Sequence, residues 1–498
     1  MSFISIQFII FLVILFPLYL VCSNKYKWVL LLIASYIFYS FASVKFLIFL
    51  LISTISTFIF ALIIDNLNKK EDQILSSNDL SVTDKEKQIK SVNFKQNFLL
   101  FIVIFINIGM VFFFKQVRSL INIFNLPEAI GFVAFPLGIS FYTLQSLSYT
   151  IDVYRKVIKP EKNIAKYALF ISYFPQFMMG PISRFNDLFH QFFIKYSFDK
   201  TMFVYGIQRA TWGFFKKLII SDRLAVFINA TYSNYNDFSG ITLLISTFLI
   251  TLLLYVDFSS YMDIAIGVSN CFGINIQENF KFPLFSKSIQ EFWTRWHITL
   301  YTWLRDYIFY PLIHSKPMIK LGTYFSNGPF ILSSLPVSIS ILVVWILCGF
   351  WHGYEIHYII VGLYNAMLLI LFMFVRRYNK FKIFNKFIGL VFIFLFVWGG
   401  PLLRCKHLTD AFNIMYKILH FSLPTNFLGE ITTSSLSFYE WGVTIFGIII
   451  LFIVDFLKYN NKLNFKNLKY NFVIIYILLV LTIIFGKFGP TTFIYLRF

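Results

Sequence analysis

Apolar residues run through this chain in blocks of roughly twenty, the length that crosses a hydrocarbon layer as a helix. The clear blocks are 3–22, 28–43, 46–64, 97–115, 132–150, 240–256, 330–350, 356–375, 387–403, 438–457 and 471–486. Three more, 164–180, 202–220 and 290–313, are apolar but interrupted by Pro, Gly, Lys or Arg. Interruptions of that kind belong where protein or a wet cavity shields the backbone from lipid. The pattern predicts an all-α integral membrane protein with about 11 or more transmembrane helices plus re-entrant or interrupted segments. One polar stretch, 64–96, carries six acids and six bases and reads as a solvated, partly disordered cytoplasmic loop. Polar residues thicken within apolar context from 132 to 375, where a site is expected, and residues 1–498 read as one polytopic domain.

Composition agrees with the pattern: 58% of residues are hydrophobic and only 13% charged, against about 25% charged in a soluble protein. The net charge of +20 could point to nucleic acid, but the bases sit in short loops beside the spans. Lys25 and Lys27 form one cluster, and Arg155, Lys156, Lys159, Lys162 and Lys166 a second. Arg376, Arg377, Lys380, Lys382 and Lys386 form a third, and Lys458, Lys462, Lys466 and Lys469 a fourth. That is the positive-inside pattern of a multi-pass membrane protein, with the bilayer and not nucleic acid as partner. Placing all four clusters inside puts the N-terminus and residues 404–437 outside. Residues 1–22 lack a basic leader and a small-residue cleavage site, so a retained span is expected. The four cysteines lie far apart, which indicates neither a disulfide framework nor a metal site.

Two Trp-His pairs carry the candidate chemistry: Trp296-His297 in EFWTRWHITLYTWLRDY and Trp351-His352 in LCGFWHG. An ionisable side chain in a span must be paired, hydrated or useful, and imidazole moves protons near neutral pH. Residues 290–313 read as one long helix with His297, Tyr301, Arg305 and Ile308 on one face and Arg295, Thr299, Thr302 and Asp306 on another. From spacing alone, a hydrogen-bonded core histidine and a functional one remain alternatives at both positions. Gly353 after His352 marks a helix end or a close approach. Tyr255, Asp257, Ser259, Ser260, Tyr261 and Asp263, followed by Asn275, Glu278 and Asn279, interrupt another apolar region and need partners or a water-filled cavity. No G-x-S-x-G elbow, P-loop or H-E-x-x-H is present, so covalent serine chemistry and phosphate-driven transport gain no support. His-based acid–base work in a membrane cavity is the reading that remains.

The run DFSSYMDIAIGVSNCFGINIQENFKFPLFSKSIQEFWTRWHITLYTWLRDYIFYPL, residues 257–312, resembles the membrane-bound O-acyltransferase family. The similarity is to its bacterial branch of alginate and peptidoglycan O-acetyltransferases and teichoic-acid D-alanyl transfer proteins. PLGISFYTLQSLSYTIDVYR (136–155), FPQFMMGPISRF (174–185), GFFKKLIISDR (213–223), CGFWHG (348–353) and the terminal GPTTFIYLRF support it, in order, over almost the whole chain. The resemblance implies a multi-helix fold around a central tunnel in a bacterial cytoplasmic membrane. It makes His352 the catalytic histidine and His297 a second functional one. Trp296, Trp351, Arg305, Asp306, Asp257 and Asn279 are then expected to line or support the tunnel. It also implies no permanently bound cofactor but an acyl thioester co-substrate, acetyl-CoA or an acyl carrier protein. The acyl group, acetyl by this reading, passes to a hydroxyl of an extracytoplasmic polysaccharide or to an SGNH-type transferase or other polymer-assembly partner.

Two features depart from the acetyltransferase-like pattern: Gly353-Tyr354-Glu355-Ile356-His357 follows His352, and IFYPLIHSKPM follows Asp306-Tyr307. The longer stretch 313–330 leans toward D-alanyl transfer to teichoic-type polymers, whereas 136–155 leans toward acetylation. A transporter with a permeation path at 255–279, or a non-catalytic scaffold for polymer assembly, shares the composition but leaves the ordered motifs unexplained.

Overall fold

The computed structural model describes residues 2–41, 43–124, 136, 138–353, 355–378, 385–405, 407–420, 422–424, 426–433, 436–463 and 471–488. The terminal motif 489–498, Leu137, Tyr354, Lys380, Lys382, Lys406, Lys466, Lys469 and the start of the expected 132–150 span lie outside the described residues. Where the sequence reads as one domain, the fold groups into two compact units: Met1–Phe203 with Ser269–Gln277, and Val204–Val268 with Glu278–Phe498. Among the described residues all regular structure is helical. Among the described residues, seven helices are long and apolar enough to cross a membrane, and Ile6–Val21, Lys27–Ser40 and Asn471–Phe485 are shorter apolar ones.

The first unit is built on α1 (Leu47–Ser76), α2 (Val82–Phe124) and α3 (Ile139–Tyr154). The 64–96 stretch is not the loop expected from its charge. It extends α1 and α2 beyond their apolar parts, leaving only 77–81 outside helix. Charge patterning explains this: Asp65 pairs with Lys69 one turn on, Lys156 reaches Glu71 at 2.9 Å and Asp72 at 2.7 Å, and the Ser81 hydroxyl caps α2 by accepting from the Asp84 N–H at 3.1 Å. Inside the unit, α3 is buried on nearly all sides, including Ser140, Thr143, Gln145, Ser146, Ser148 and Thr150. Polar pairs join the helices where lipid cannot: the Ser53 hydroxyl donates to Asn107 at 2.7 Å and lies 3.0 Å from Ser146, and Thr57 lies 2.8 Å from the Tyr167 hydroxyl.

The second unit holds α4 (Lys200–Phe215, from Val204 on), α5 (Asp222–Ser233), α6 (Gly240–Cys271, to Val268), α7 (Ile289–Arg295), α8 (Ile298–Leu304), α9 (Leu335–His352), α10 (Ile356–Tyr378) and α11 (Phe438–Tyr459). The carboxylates of α6 find partners on the GFFKKL run, which bulges into a π-helix at 216–221. Lys217 bridges Asp257 at 2.7 Å and Asp222 at 2.8 Å, and Lys216 binds Asp263 at 2.7 Å. Arg209 grips Glu278 through two bonds of 2.5 Å and reaches Asp263 at 3.0 Å. The bulge lets successive lysines reach one neighbouring helix, which a straight 3.6-residue helix would point about 100° apart.

Candidate active site

The expected continuous helix over 290–313 is broken at Trp296-His297, where His297 adopts φ 43° and ψ 50° between α7 and α8. A non-helical segment, 279–281, enters the gap. The Lys281 N–H donates to the Arg295 carbonyl and the Ile298 N–H to the Asn279 carbonyl, each at 3.0 Å. The Asn279 side chain then caps α8, accepting from the Thr299 N–H at 3.0 Å and the Thr299 hydroxyl at 2.6 Å. Below α8 the chain widens into a second π-helix, Arg305–Phe309. The helical faces expected to align His297 with Arg305, and Arg295 with Asp306, are therefore not formed.

His352 closes α9, and Gly353 caps it with its N–H on the Gly349 carbonyl at 3.2 Å. A Cβ at Gly353 would lie 2.3 Å from the Tyr358 ring, so close approach is what this glycine provides. The α9–α10 hairpin is equally tight along its length: a Cβ at Gly349 would meet the Tyr358 carbonyl at 2.5 Å, and one at Gly362 the Trp345 carbonyl at 2.3 Å.

His297 and His352 line one cavity of about 110 Å³, with Trp296, Tyr301, Trp345, Tyr358 and Asn365 among its walls. His297 is buried and His352 half-buried. The Trp351 ring lies between them, 6.2 Å from the His297 ring and 4.8 Å from that of His352. Phe258 stands edge-on to His297 at 4.8 Å. Trp293 packs on Tyr301 at 4.7 Å and Trp345 at 4.6 Å, so the floor is aromatic. The result is a narrow, largely aromatic slot that carries two imidazoles.

Two larger cavities adjoin this slot within the unit. One, about 590 Å³, shares Trp293 and Tyr301 and is lined further by Arg305, Leu369, Phe372, Met373 and Arg376. The other, about 690 Å³, is lined by Arg209, Lys216, Asp263, Glu278, Lys281, Arg295 and Lys458, with Tyr255 and Phe280. Trp296 walls the slot and packs on Phe280 at 5.1 Å, so a layer of rings separates the slot from this charged cavity.

Of the residues singled out from sequence, His297, His352 and Trp296 line the slot, and Trp351 contacts both imidazoles. Asn279 supports it as the α8 cap. Arg305 pairs with Asp306 at 2.9 Å and faces the neighbouring cavity. Asp257 lines none of the three; its carboxylate is held by Lys217 and, at 2.8 Å, the Ser221 hydroxyl, which makes it a brace. Sequence reasoning missed Arg209, Lys216 and Lys217 as partners of the buried acids. It also missed Asn365, although an amide inside a hydrocarbon span was signal enough. His357, given no role, is buried beside the slot, with its Nδ1 3.1 Å from Glu355 and its ring 4.0 Å from Tyr358.

Comparison with known proteins places this geometry in context. The profile described as MBOAT, membrane-bound O-acyltransferase family, matches residues 33–403. A probable alginate O-acetylase of Pseudomonas aeruginosa is 30% identical over 91% of this chain and 81% of its own. A peptidoglycan O-acetyltransferase of Helicobacter pylori is 30% identical over 53% of each chain. A teichoic acid D-alanyltransferase of Bacillus subtilis is 29% identical over 55% of this chain and 71% of its own.

Proposed function

This chain belongs to the membrane-bound O-acyltransferase family and is a multi-pass membrane acyltransferase, and from that premise we propose that it transfers acetyl from a cytoplasmic thioester to a hydroxyl outside, with His352 as general base. The observation that carries this reading is the shared slot: two imidazoles from distant parts of the chain converge on one narrow, aromatic cavity. His352 takes the proton of the attacking hydroxyl as its oxygen adds to the thioester carbonyl. The tetrahedral intermediate collapses, the C–S bond breaks, and the imidazolium returns the proton to the leaving thiolate. Base assistance of this kind typically contributes about 10²–10⁴-fold. His297, held rigid by its backbone and by Phe258, positions the reacting carbonyl. Such positioning by a pre-formed cavity is worth up to roughly 7–11 kcal/mol in ideal cases.

A slot of about 110 Å³ with an aromatic lining suits a small neutral acyl group. Two relatives that match 91% and 86% of this chain are named as probable alginate O-acetylases, which also favours acetyl over D-alanyl. Acetyl-CoA or an acylated carrier protein is the donor in this reading, and its anionic part meets Arg305 and Arg376 of the adjoining cavity. The membrane is the bacterial cytoplasmic one. The acceptor is an extracytoplasmic polysaccharide, directly or through an SGNH-type transferase, since positive-inside charge puts the His352 end of α9 outside.

The test is His352→Ala in cells, with membrane expression verified and base-labile esters of the envelope polymers measured. Loss of an acetyl ester, with turnover down by about 10²–10⁴-fold, is the expected outcome. Loss of D-alanyl instead reassigns the acyl group, and unchanged esters remove His352 from catalysis.

A further inference from the structure

Asn365 is an amide in the middle of a hydrocarbon-rich helix, buried to 4% exposure and part of the wall of the histidine slot. Its Nδ2 donates to the Val361 carbonyl one turn earlier, at 2.8 Å, which fixes how the carboxamide is oriented. The Oδ1 that remains is buried and meets no hydrogen-bond donor among the described residues. An acceptor left so in a buried, largely aromatic site is costly unless an occupant supplies the donor. A second buried group in the same lining has the complementary need: Trp293 Nε1, a donor with no acceptor among the described residues.

The position of Asn365 says which reactant it faces. Along α10, Tyr358, Val361, Gly362 and Asn365 line the slot, and Leu369, Phe372, Met373 and Arg376 continue the same helical face into the 590 Å³ cavity. Arg376 and Arg377 belong to a basic cluster that marks the cytoplasmic end. The pairing of Gly349 with Tyr358 and of Trp345 with Gly362 sets His352 level with the start of α10. Asn365 is therefore offset from the level of His352 by roughly 15 Å along the helix axis toward the cytoplasm, at 1.5 Å per residue. The donor's arm passes that point; the acceptor hydroxyl, arriving from the other side, does not.

We propose that Asn365 Oδ1 accepts the N–H of an amide in the arm that bears the acyl thioester, so that the site selects donors of the pantetheine type. This inference rests on the thioester reading above. The carbonyl of the same amide is within the chemistry of Trp293 Nε1–H, and Arg305 and Arg376 suit the phosphate at the far end of such an arm.

The experiment uses the purified full-length protein in lipid nanodiscs, with thiol release as the readout. S-acetylpantetheine is compared with its analogue in which ester oxygens replace both amide N–H groups. The wild type is expected to prefer the amide donor in kcat/KM by about tenfold or more, as for a site built around a hydrogen bond. In Asn365→Leu and Asn365→Ala the ratio between the two donors falls to near one. Both donors are measured on the same preparation, so a partly misfolded variant leaves the ratio intact. A ratio that both variants retain, or a wild-type ratio near one, overturns the proposal while the thioester reading stands. An effect confined to the KM of an added glycerol acceptor also overturns it, assigning Asn365 to the other substrate. Absence of thiol release from either donor in the wild type overturns the thioester reading and this inference with it.

Discussion

His297 is fixed by its backbone as much as by its ring. At φ 43° and ψ 50° it occupies the left-handed region, which Asn and Gly enter easily and β-branched residues almost never do. The expected stability order is His297→Asn and His297→Gly above His297→Ala, with His297→Val lowest by about 1–2 kcal/mol. Thermal unfolding in detergent micelles measures it, and a Val variant as stable as Asn would remove the strain argument. All four lack the imidazole, so acyl transfer is expected to fall in each. Both Trp-His pairs were legible in sequence by one rule, that polar groups are rarely retained in hydrocarbon without reason, and the same rule applied to 356–375 marks the missed Asn365. What each one touches was not legible, because a ring contact such as His297 to Trp351 joins positions 54 residues apart in the chain.

At the scale of elements, the clearest lesson is the region 290–313. Its sequence has the periodicity of one amphipathic helix, yet it breaks at Trp296-His297 and resumes as a short helix, a π-helical turn and a last helical turn, Tyr310–Ile313. The local preference lost to four hydrogen bonds made by Asn279 and Lys281, whose presence depends on where residues 279–281 arrive. The charged stretch 64–96 erred the other way: composition favoured a loop, and helix continuation with i, i+4 pairing won. The α9–α10 hairpin offers a clean test of packing. Gly362→Val forces a Cβ into the Trp345 carbonyl and is expected to destabilise by about 1–3 kcal/mol and slow turnover as the slot walls separate. Gly442→Ala, on an open face of α11, is expected to be neutral or stabilising by up to ~1 kcal/mol. Paired unfolding midpoints and acyl-transfer rates check both, and equal behaviour would detach the slot from the hairpin spacing.

At the scale of the molecule, charge sets the orientation in the membrane. The basic run after α10 and the near-neutral stretch 404–437 predict opposite sides of the bilayer. In a cysteine-free background, Leu419→Cys is expected to react with an impermeant maleimide in intact cells, and Tyr378→Cys only after permeabilisation. Both residues are exposed. The reverse pattern would invert the route assigned to the donor and withdraw the argument that places Asn365 on the donor's side of His352.

The sequence by itself determined the membrane class, the seven long apolar helices and the family, and it singled out the two histidines as candidates. The family follows from the resemblance of its ordered motifs, and the rest from local hydropathy or from residue types that hydrocarbon tolerates only for a purpose. Tertiary structure alone decided that both imidazoles share one slot, that Lys217 bridges Asp257 and Asp222 as a brace, and that Asn365 lines the same slot as His352. Those facts depend on which distant segments meet, and in a dry interior a polar group takes the partner that long-range packing brings within about 3 Å.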